Sequence, residues 1–227
     1  LTESCCVAYH AVGVQADIRP GMSVAVLGCG AVGLLSVQMA KFRGAYPIIL
    51  TGLSHDKERL KIGKKLGATH VILGSRGTSF YEDIVEITGA DLKNPVMGKP
   101  LVMGGVDRVY DCVGSNSSLD DAMRLTRNGG QVVFVGEPGI VKNLDWTPIF
   151  TQDLEVKAAY LYNHVEKYNG QHWKTFDIAI DLMANDKADI GWMVTHKFEL
   201  DEYKQAFSVT DNKKEEKAIK VAFDFPE

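Results

Sequence analysis

Apolar residues in this chain fall into two alternating rhythms. Ser23 to Leu27 and Pro47 to Thr51 are short apolar runs with no helical spacing, so each predicts a strand buried on both faces. Ala31 to Phe42 spaces Leu34, Leu35, Val37, Met39 and Phe42 along one side of a helix. Asp56 to Leu66, rich in Lys and Glu, predicts a second helix, with Ser54 as its cap and Gly67 as its stop. Thr69 to Leu73 and Asp107 to Cys112 read as further strands, Ser79 to Thr88 and Ser118 to Arg127 as further helices. Gly129-Gly130 is expected to end the last of these helices, and Gln131 to Val135 to form the next strand. Ahead of them, Cys5 to Ala16 reads as a short helix and Arg19-Pro-Gly-Met as a turn; Asp91 to Gly105 reads as a loop. Strand and helix alternate through short connections, which predicts an α/β fold: a doubly wound parallel sheet with helices on both faces. From Asn143 the rhythm changes. Leu154 to Tyr160 reads as a strand, Lys174 to Ala184 as a helix, and the tail from Val194 as strand, short helix and last strand, Ala218 to Phe223. A boundary near Asn163 divides the chain into 1–163 and a C-terminal αβ extension, 164–227.

At 227 residues the chain suits one domain plus a sizeable extension, and 45% apolar with 24% charged residues is ordinary for a soluble globular protein. A net charge of −4 offers no basic face, so no nucleic-acid partner is expected. The longest apolar stretch, Val24 to Ala40, holds Gly28, Gly30 and Gly33, a serine and a glutamine, which favours strand–turn–helix over a membrane span. Cysteines stand at 5, 6, 29 and 112 with no C-x-x-C pair. That is neither a disulfide framework nor a zinc ribbon, so a reducing cytoplasm is the expected location. The first residue is Leu1 and not Met, which points to a fragment or a processed product.

The stretch Val24-Ala-Val-Leu-Gly-Cys-Gly-Ala-Val-Gly33 carries the chemistry. It places G-x-G-x-x-G after the first strand and at the opening of the first long helix, where the Rossmann dinucleotide fingerprint lies. Gly28 permits the sharp turn, Gly30 leaves a pyrophosphate room, and Gly33 lets helix and strand pack closely. The N–H groups near Ala31, Val32 and Gly33 sit at the positive helix end, which favours an anion. S-adenosylmethionine is the runner-up ligand, which would make the chain a methyltransferase; such loops usually have an acid just before the glycines, and Val26-Leu27 at that place argues against it. The next strand end should distinguish NAD from NADP, through an acid on the ribose hydroxyls. The expected position is Gly52, followed by Ser54, His55, Lys57 and Arg59, which leans the reading toward NADP; Asp56 reaching back to the ribose is the alternative. Two later strand ends, Cys112-Val113-Gly114 and Val135-Gly136-Glu137, should line the same crevice and admit the nicotinamide ribose. Nothing beside Cys112 in sequence activates it, so a buried apolar cysteine is the better reading than a nucleophile.

Taken together, these pieces resemble the medium-chain dehydrogenase/reductase family of zinc-containing alcohol, polyol and threonine dehydrogenases. The residues are Cys6-Val-Ala-Tyr-His-Ala-Val12, Arg19 to Gly33, Arg59-Leu60 with Lys65-Leu-Gly-Ala68, Val106 to Gly114, and Asn128 to Gly136. The resemblance implies a parent enzyme that moves hydride between NAD(P) and a secondary alcohol or its ketone. It also implies a missing N-terminal catalytic domain that carries the Cys and His ligands of a catalytic zinc. Only Glu3 matches a family zinc ligand, and Ser4 stands where that motif has proline. One carboxylate cannot hold a zinc that needs three protein ligands, so neither metal nor catalytic residues are expected in this chain, which alone should be inactive. None of the histidines at 10, 55, 70, 164, 172 and 196 pairs with another at metal-ligand spacing. Leu154 to Tyr160 resembles the segment through which such enzymes join sheet edges into a homodimer, and an ordinary edge strand is the alternative. The Asp91–Gly105 insert is longer than the family leads one to expect. A non-catalytic dinucleotide-binding module is the alternative function.

Overall fold

In the computed structural model, which describes residues 1–74, 78–95 and 98–225, the chain opens with α1 (Thr2–Tyr9) and a wider π-helical turn over His10–Gln15. β1 (Val24–Leu27), α2 (Ala31–Phe42), β2 (Ile48–Gly52), α3 (Lys57–Leu66), β3 (His70–Leu73) and α4 (Thr78–Thr88) then alternate. A hairpin of β4 (Asp91–Lys93) and β5 (Leu101–Met103) comes before β6 (Val106–Asp111), α5 (Asn116–Leu125), β7 (Thr126–Phe134), α6 (Thr147–Thr151) and β8 (Glu155–Ala158). A second hairpin, β9 (Val165–Tyr168) and β10 (Gln171–Lys174), leads into α7 (Thr175–Ala184). Last come β11 (Val194–Phe198), α8 (Tyr203–Asp211) and β12 (Lys220–Phe223).

Six strands form one parallel sheet in the order β3-β2-β1-β6-β7-β8. The chain winds outward from β1 in one direction, returns, and winds outward from β6 in the other. This is the Rossmann arrangement, and it opens a crevice at the carboxyl ends of β1 and β6, where the winding reverses. The apolar runs explain the sheet. Every residue of β1 and β2 is buried, as strands covered on both faces must be. Ala25, Leu27, Ile49, Val109 and Val132 pack with Phe80 and Ile84 of α4 and with Ala122 and Met123 of α5. On α3, a Cβ at Gly63 would lie 2.1 Å from Leu50 Cδ2 and 3.1 Å from Leu34 Cδ2, so that glycine lets α3 ride close on the strand beside α2.

Contacts divide the chain into two compact units, Thr2–Ala188 and the segment from Asp189 onward with Leu1. Residues 164–188 therefore belong with the sheet, past the boundary expected near Asn163. The physical tie is local to that unit: Tyr9 donates to the Lys167 carbonyl at 2.7 Å, and the buried His10 and Glu166 side chains meet at 2.5 Å. The second unit pairs β11 with β12 in parallel and packs α8 on them around Phe198, Ala206, Val209 and Ala218.

Three local expectations shift. The stretch 91–105 contains a hairpin, because Val102 turns into the core and draws Leu101–Met103 into strand pairing with Asp91–Lys93; positions 96 and 97 lie outside the described residues. Gly129-Gly130 sits inside β7 as a bulge, with Val106 opposite Thr126 but Arg108 opposite Gln131. A Cβ on Gly130 would lie 2.5 Å from Thr126 Cγ2, so the bulge requires glycine there. Finally, α3 starts at Lys57 after Asp56, not under a Ser54 cap; the Asp56 carboxylate accepts from the Leu53 N–H at 3.0 Å.

Candidate functional site

Strand register brings the sequence-predicted residues to one edge. Leu27 lies opposite Thr51 on one side and Asp111 on the other, and Asp111 lies opposite Phe134. The turns that follow these positions are 28–33, 52–57, 112–114 and 135–137, which together contain every cofactor-binding candidate.

The three glycines of the fingerprint have different reasons to be glycine. Gly28 has φ +95°, and the space its Cβ would take is filled by Val113, with Cγ2 at 2.6 Å. A Cβ on Gly33 would lie 2.0 Å from the Gly28 carbonyl oxygen. Both are demanded by the chain itself. Gly30 is not. Its φ of −73° is open to any residue, and a Cβ there meets nothing within 4 Å. Gly30 is also the N-cap of α2 and supplies no side-chain cap, and α2 has no acid in its first turn. The N–H groups of Ala31, Val32 and Gly33 find no acceptor within the helix and face the positive end of its dipole. The turn is thus a cradle in which one side chain would occupy the space in front of an anion-favouring helix end. It fits the pyrophosphate of a dinucleotide.

At the end of β2, Gly52 is crowded by the protein. Its Cβ would lie 2.8 Å from Cys29 Sγ, 3.1 Å from Asp56 Cβ and 3.3 Å from Leu60 Cδ2. Asp56 is held beside it by the Leu53 N–H, with Arg59 at 3.6 Å and His55 at 3.7 Å. Ser54 and Lys57 are exposed on the rim. Burial pushes the Cys29 thiol up to about 12, which keeps it protonated and inert.

On the other side, Cys112 packs under α2, with Sγ 4.0 Å from Ser36 Oγ, and burial pushes its thiol up to about 12 as well. It is no nucleophile. Gly114, at φ +74°, and Gly136 fit against each other: a Cβ on the first would lie 2.5 Å from the Glu137 carbonyl oxygen, and one on the second 2.6 Å from the Gly114 nitrogen. Their lack of side chains thus lets two loops interlock, whereas the sequence suggested room for a ribose. Val113 is half exposed and Glu137 exposed on this rim. Sequence reasoning missed Asp111, which holds the 112–114 turn from below, although the signal was legible as an acid ending an apolar strand just before Cys-Val-Gly.

Among the described residues, no group of three or more His, Cys, Asp or Glu side chains is placed to hold a metal ion. Glu3 is exposed and bonded to Ser4, and His10 is buried against Glu166 and Gln15. These residues do not fit a catalytic zinc site, which takes three protein ligands.

A parallel doubly wound sheet with a glycine cradle at its switch point defines a Rossmann-type fold. Residues 31–185 match the family profile "Zinc-binding dehydrogenase", and the chain belongs to that oxidoreductase family, the medium-chain alcohol dehydrogenase type. It is 32% identical to the uncharacterized zinc-type alcohol dehydrogenase-like protein YdjL of Escherichia coli K12, over 98% of this chain and 56% of that protein. It is 31% identical to D-arabitol-phosphate dehydrogenase of Enterococcus avium, over 90% of this chain and 51% of that protein. In structure it is similar to a zinc-binding dehydrogenase from Sinorhizobium meliloti 1021 bound to NADP, with TM-score 0.71 and 28% identity over 91% of this chain and 54% of that one. It is also similar to 2R,3R-butanediol dehydrogenase from Bacillus subtilis, with TM-score 0.77 and 25% identity over 100% of this chain and 57% of that one. The chain spans about half the length of the curated relatives it matches. This family membership removes the methyltransferase alternative.

Proposed function

We propose that this chain is the NAD(P)-binding portion of an alcohol or polyol dehydrogenase. The observation that carries the reading is Gly30, the one fingerprint glycine that the chain's own packing and backbone do not explain. On this reading Gly28, Gly30, Ala31, Val32 and Gly33 receive the pyrophosphate. Gly52, Ser54 and Lys57 lie at the adenosine ribose, and 112–114 with 135–137 flank the nicotinamide ribose. When bound, the nicotinamide takes up or gives back the hydride that interconverts a secondary alcohol and its ketone. The residues of this chain bind and orient the dinucleotide; a partner domain in the full enzyme supplies the metal and the substrate pocket, and the chain alone does not turn over. Exposed Ser54 and Lys57 beside Gly52 support NADP, and Asp56 at the same strand end supports NAD.

β8 is one of the two outer strands of the six-stranded sheet, which supports pairing with a second copy through Leu154–Tyr160. Among the described residues no helix is long and apolar enough to cross a membrane, and all four cysteines are free, which suits a reducing cytoplasm. Titration of the chain with NADH and NADPH, followed by nicotinamide fluorescence, tests the reading. Saturable binding of either, lost in Gly30→Trp, supports it. A folded chain that binds neither, alone or within the full-length enzyme, overturns it. Sedimentation velocity over a concentration series checks the dimer, which Ala158→Pro, on the exposed edge, should dissociate.

A further inference from the structure

Asp111 is completely buried at the carboxyl end of β6, yet it belongs neither to the hydrophobic core nor to the surface of the cradle. One carboxylate oxygen accepts the Val113 N–H at 3.0 Å and the Gly114 N–H at 3.2 Å. The main-chain carbonyl of the same residue accepts the Val135 N–H at 2.9 Å and the Gly136 N–H at 2.8 Å. A single residue therefore sets the backbone of both loops on this side of the crevice. The loops have no slack. Gly114 and Gly136 touch at distances that exclude a Cβ on either, and Val113 is turned so that it fills the place of a Gly28 side chain. A rotation of the 112–114 peptides would lift Val113 off the glycine turn and open the contact with Gly136.

We propose that Asp111 is a positioning residue whose carboxyl group shapes the half of the crevice that receives the nicotinamide end of the dinucleotide. The inference rests on the dinucleotide reading above and adds a division to it. The β2 side, with Gly52 to Lys57, takes the adenosine half independently of Asp111. The β6–β7 side takes the nicotinamide half through Val113, which Asp111 places. The second carboxylate oxygen, Oδ2, is buried and takes neither N–H. Burial raises the Asp111 carboxyl above the ordinary carboxylate range in spite of the two N–H bonds and the Ser118 side chain. An asparagine has the same shape and the same acceptor, so it should keep the turn.

The test compares ligands that share the adenosine half. NADH and NADPH binding is followed by nicotinamide fluorescence, and ADP and 2′,5′-ADP binding by calorimetry, on the whole chain. Asp111→Ala is expected to weaken the dinucleotides by about tenfold while the two adenosine ligands change by less than about twofold. Asp111→Asn is expected to restore dinucleotide binding to within about threefold of the parent chain. Val113→Gly removes the placed wall without touching the buried carboxyl, and should reproduce the selective loss if Asp111→Ala does not fold. Parallel loss of all four ligands, or no loss of dinucleotide in a folded Asp111→Ala or Val113→Gly chain, overturns the proposal. A parent chain that binds adenosine ligands but not the dinucleotides also overturns it, and one that binds none of the four, alone or within the full-length enzyme, sinks the dinucleotide reading itself.

Discussion

β6 carries an aspartate near each end, and the two are built in opposite ways. Asp107, near the amino end, is saturated with donors: the Ser23 N–H at 2.8 Å, the Ser23 hydroxyl at 2.7 Å and Arg127 Nε at 2.7 Å. Its own N–H donates to Ser23 Oγ at 2.9 Å, so the approach to β1, β6 and β7 are clasped together. Asp111, at the carboxyl end, takes two N–H groups on one oxygen and, among the described residues, faces no cationic side chain in an ion pair. Burial alone would raise the Asp107 carboxyl, but the Arg127 and Ser23 hydrogen bonds outweigh it and hold it below the usual range. At Asp111 burial wins and the shift is upward. The amino edge of the sheet closes the structure. The carboxyl edge keeps its polar groups aimed at turns, which is where open α/β sheets bind ligands.

The largest expected contrast separates binding from stability. Gly30→Trp fills the cradle without meeting any neighbour at its Cβ, so it should lower dinucleotide affinity by about 100-fold or more while leaving the melting temperature near that of the parent. A melting temperature that falls as far as a core mutant's would show that Gly30 serves the fold. Asp107→Ala should do the reverse. It strands Ser23 and Arg127 and should cost about 2 kcal/mol of unfolding free energy, measured in urea, with dinucleotide affinity in the folded chain unchanged. If affinity falls with it, the two edges are not separable.

A smaller effect is expected from pH, and here the two aspartates should move in opposite directions. The Asp107 pKa is lowered on folding, so its contribution is present above the unfolded value of about 4 and is lost as pH falls through the folded one. The Asp111 pKa is raised, so its contribution is fully present below about 4 and is lost as pH rises through the folded value. The destabilisation by Asp107→Asn should therefore grow as pH rises, and that by Asp111→Asn should shrink, in urea midpoints taken across the acid range. Slopes of the same sign would dissolve the distinction. The smallest effect sits on the exposed rim, where Lys57→Ala should weaken NADPH relative to NADH by only a few fold, about 0.5–1 kcal/mol, as exposed charges do.

What sequence reading recovered was what neighbouring residues decide among themselves. The β1 run, the glycine fingerprint and the amphipathic α2 all declare themselves within a dozen residues, and the structure has them where the pattern puts them. The misses depended on partners further off. α5 starts at Asn116, ahead of the expected Ser118, because Ser115 and Ser118 form a reciprocal capping box, so Ser118 lies inside the first turn. Gly129-Gly130 had the look of a helix stop and became a strand bulge because β6 was there to pair with. The hairpin at 91–103 exists because Val102 found the core.

The candidate site divides in the same way. The order of apolar runs and the spacing of three glycines were enough to determine a doubly wound parallel sheet with a glycine turn at its switch point, because backbone preference and hydrophobic period act locally along the chain. Only the tertiary structure decided which glycines serve packing and which one leaves space, since that depends on Val113 approaching Gly28 and on Gly136 approaching Gly114. It also decided that two aspartates on one strand take opposite electrostatic roles. The difference arises from how many donors other segments deliver to each buried carboxyl group, and that number exists only once the chain has folded.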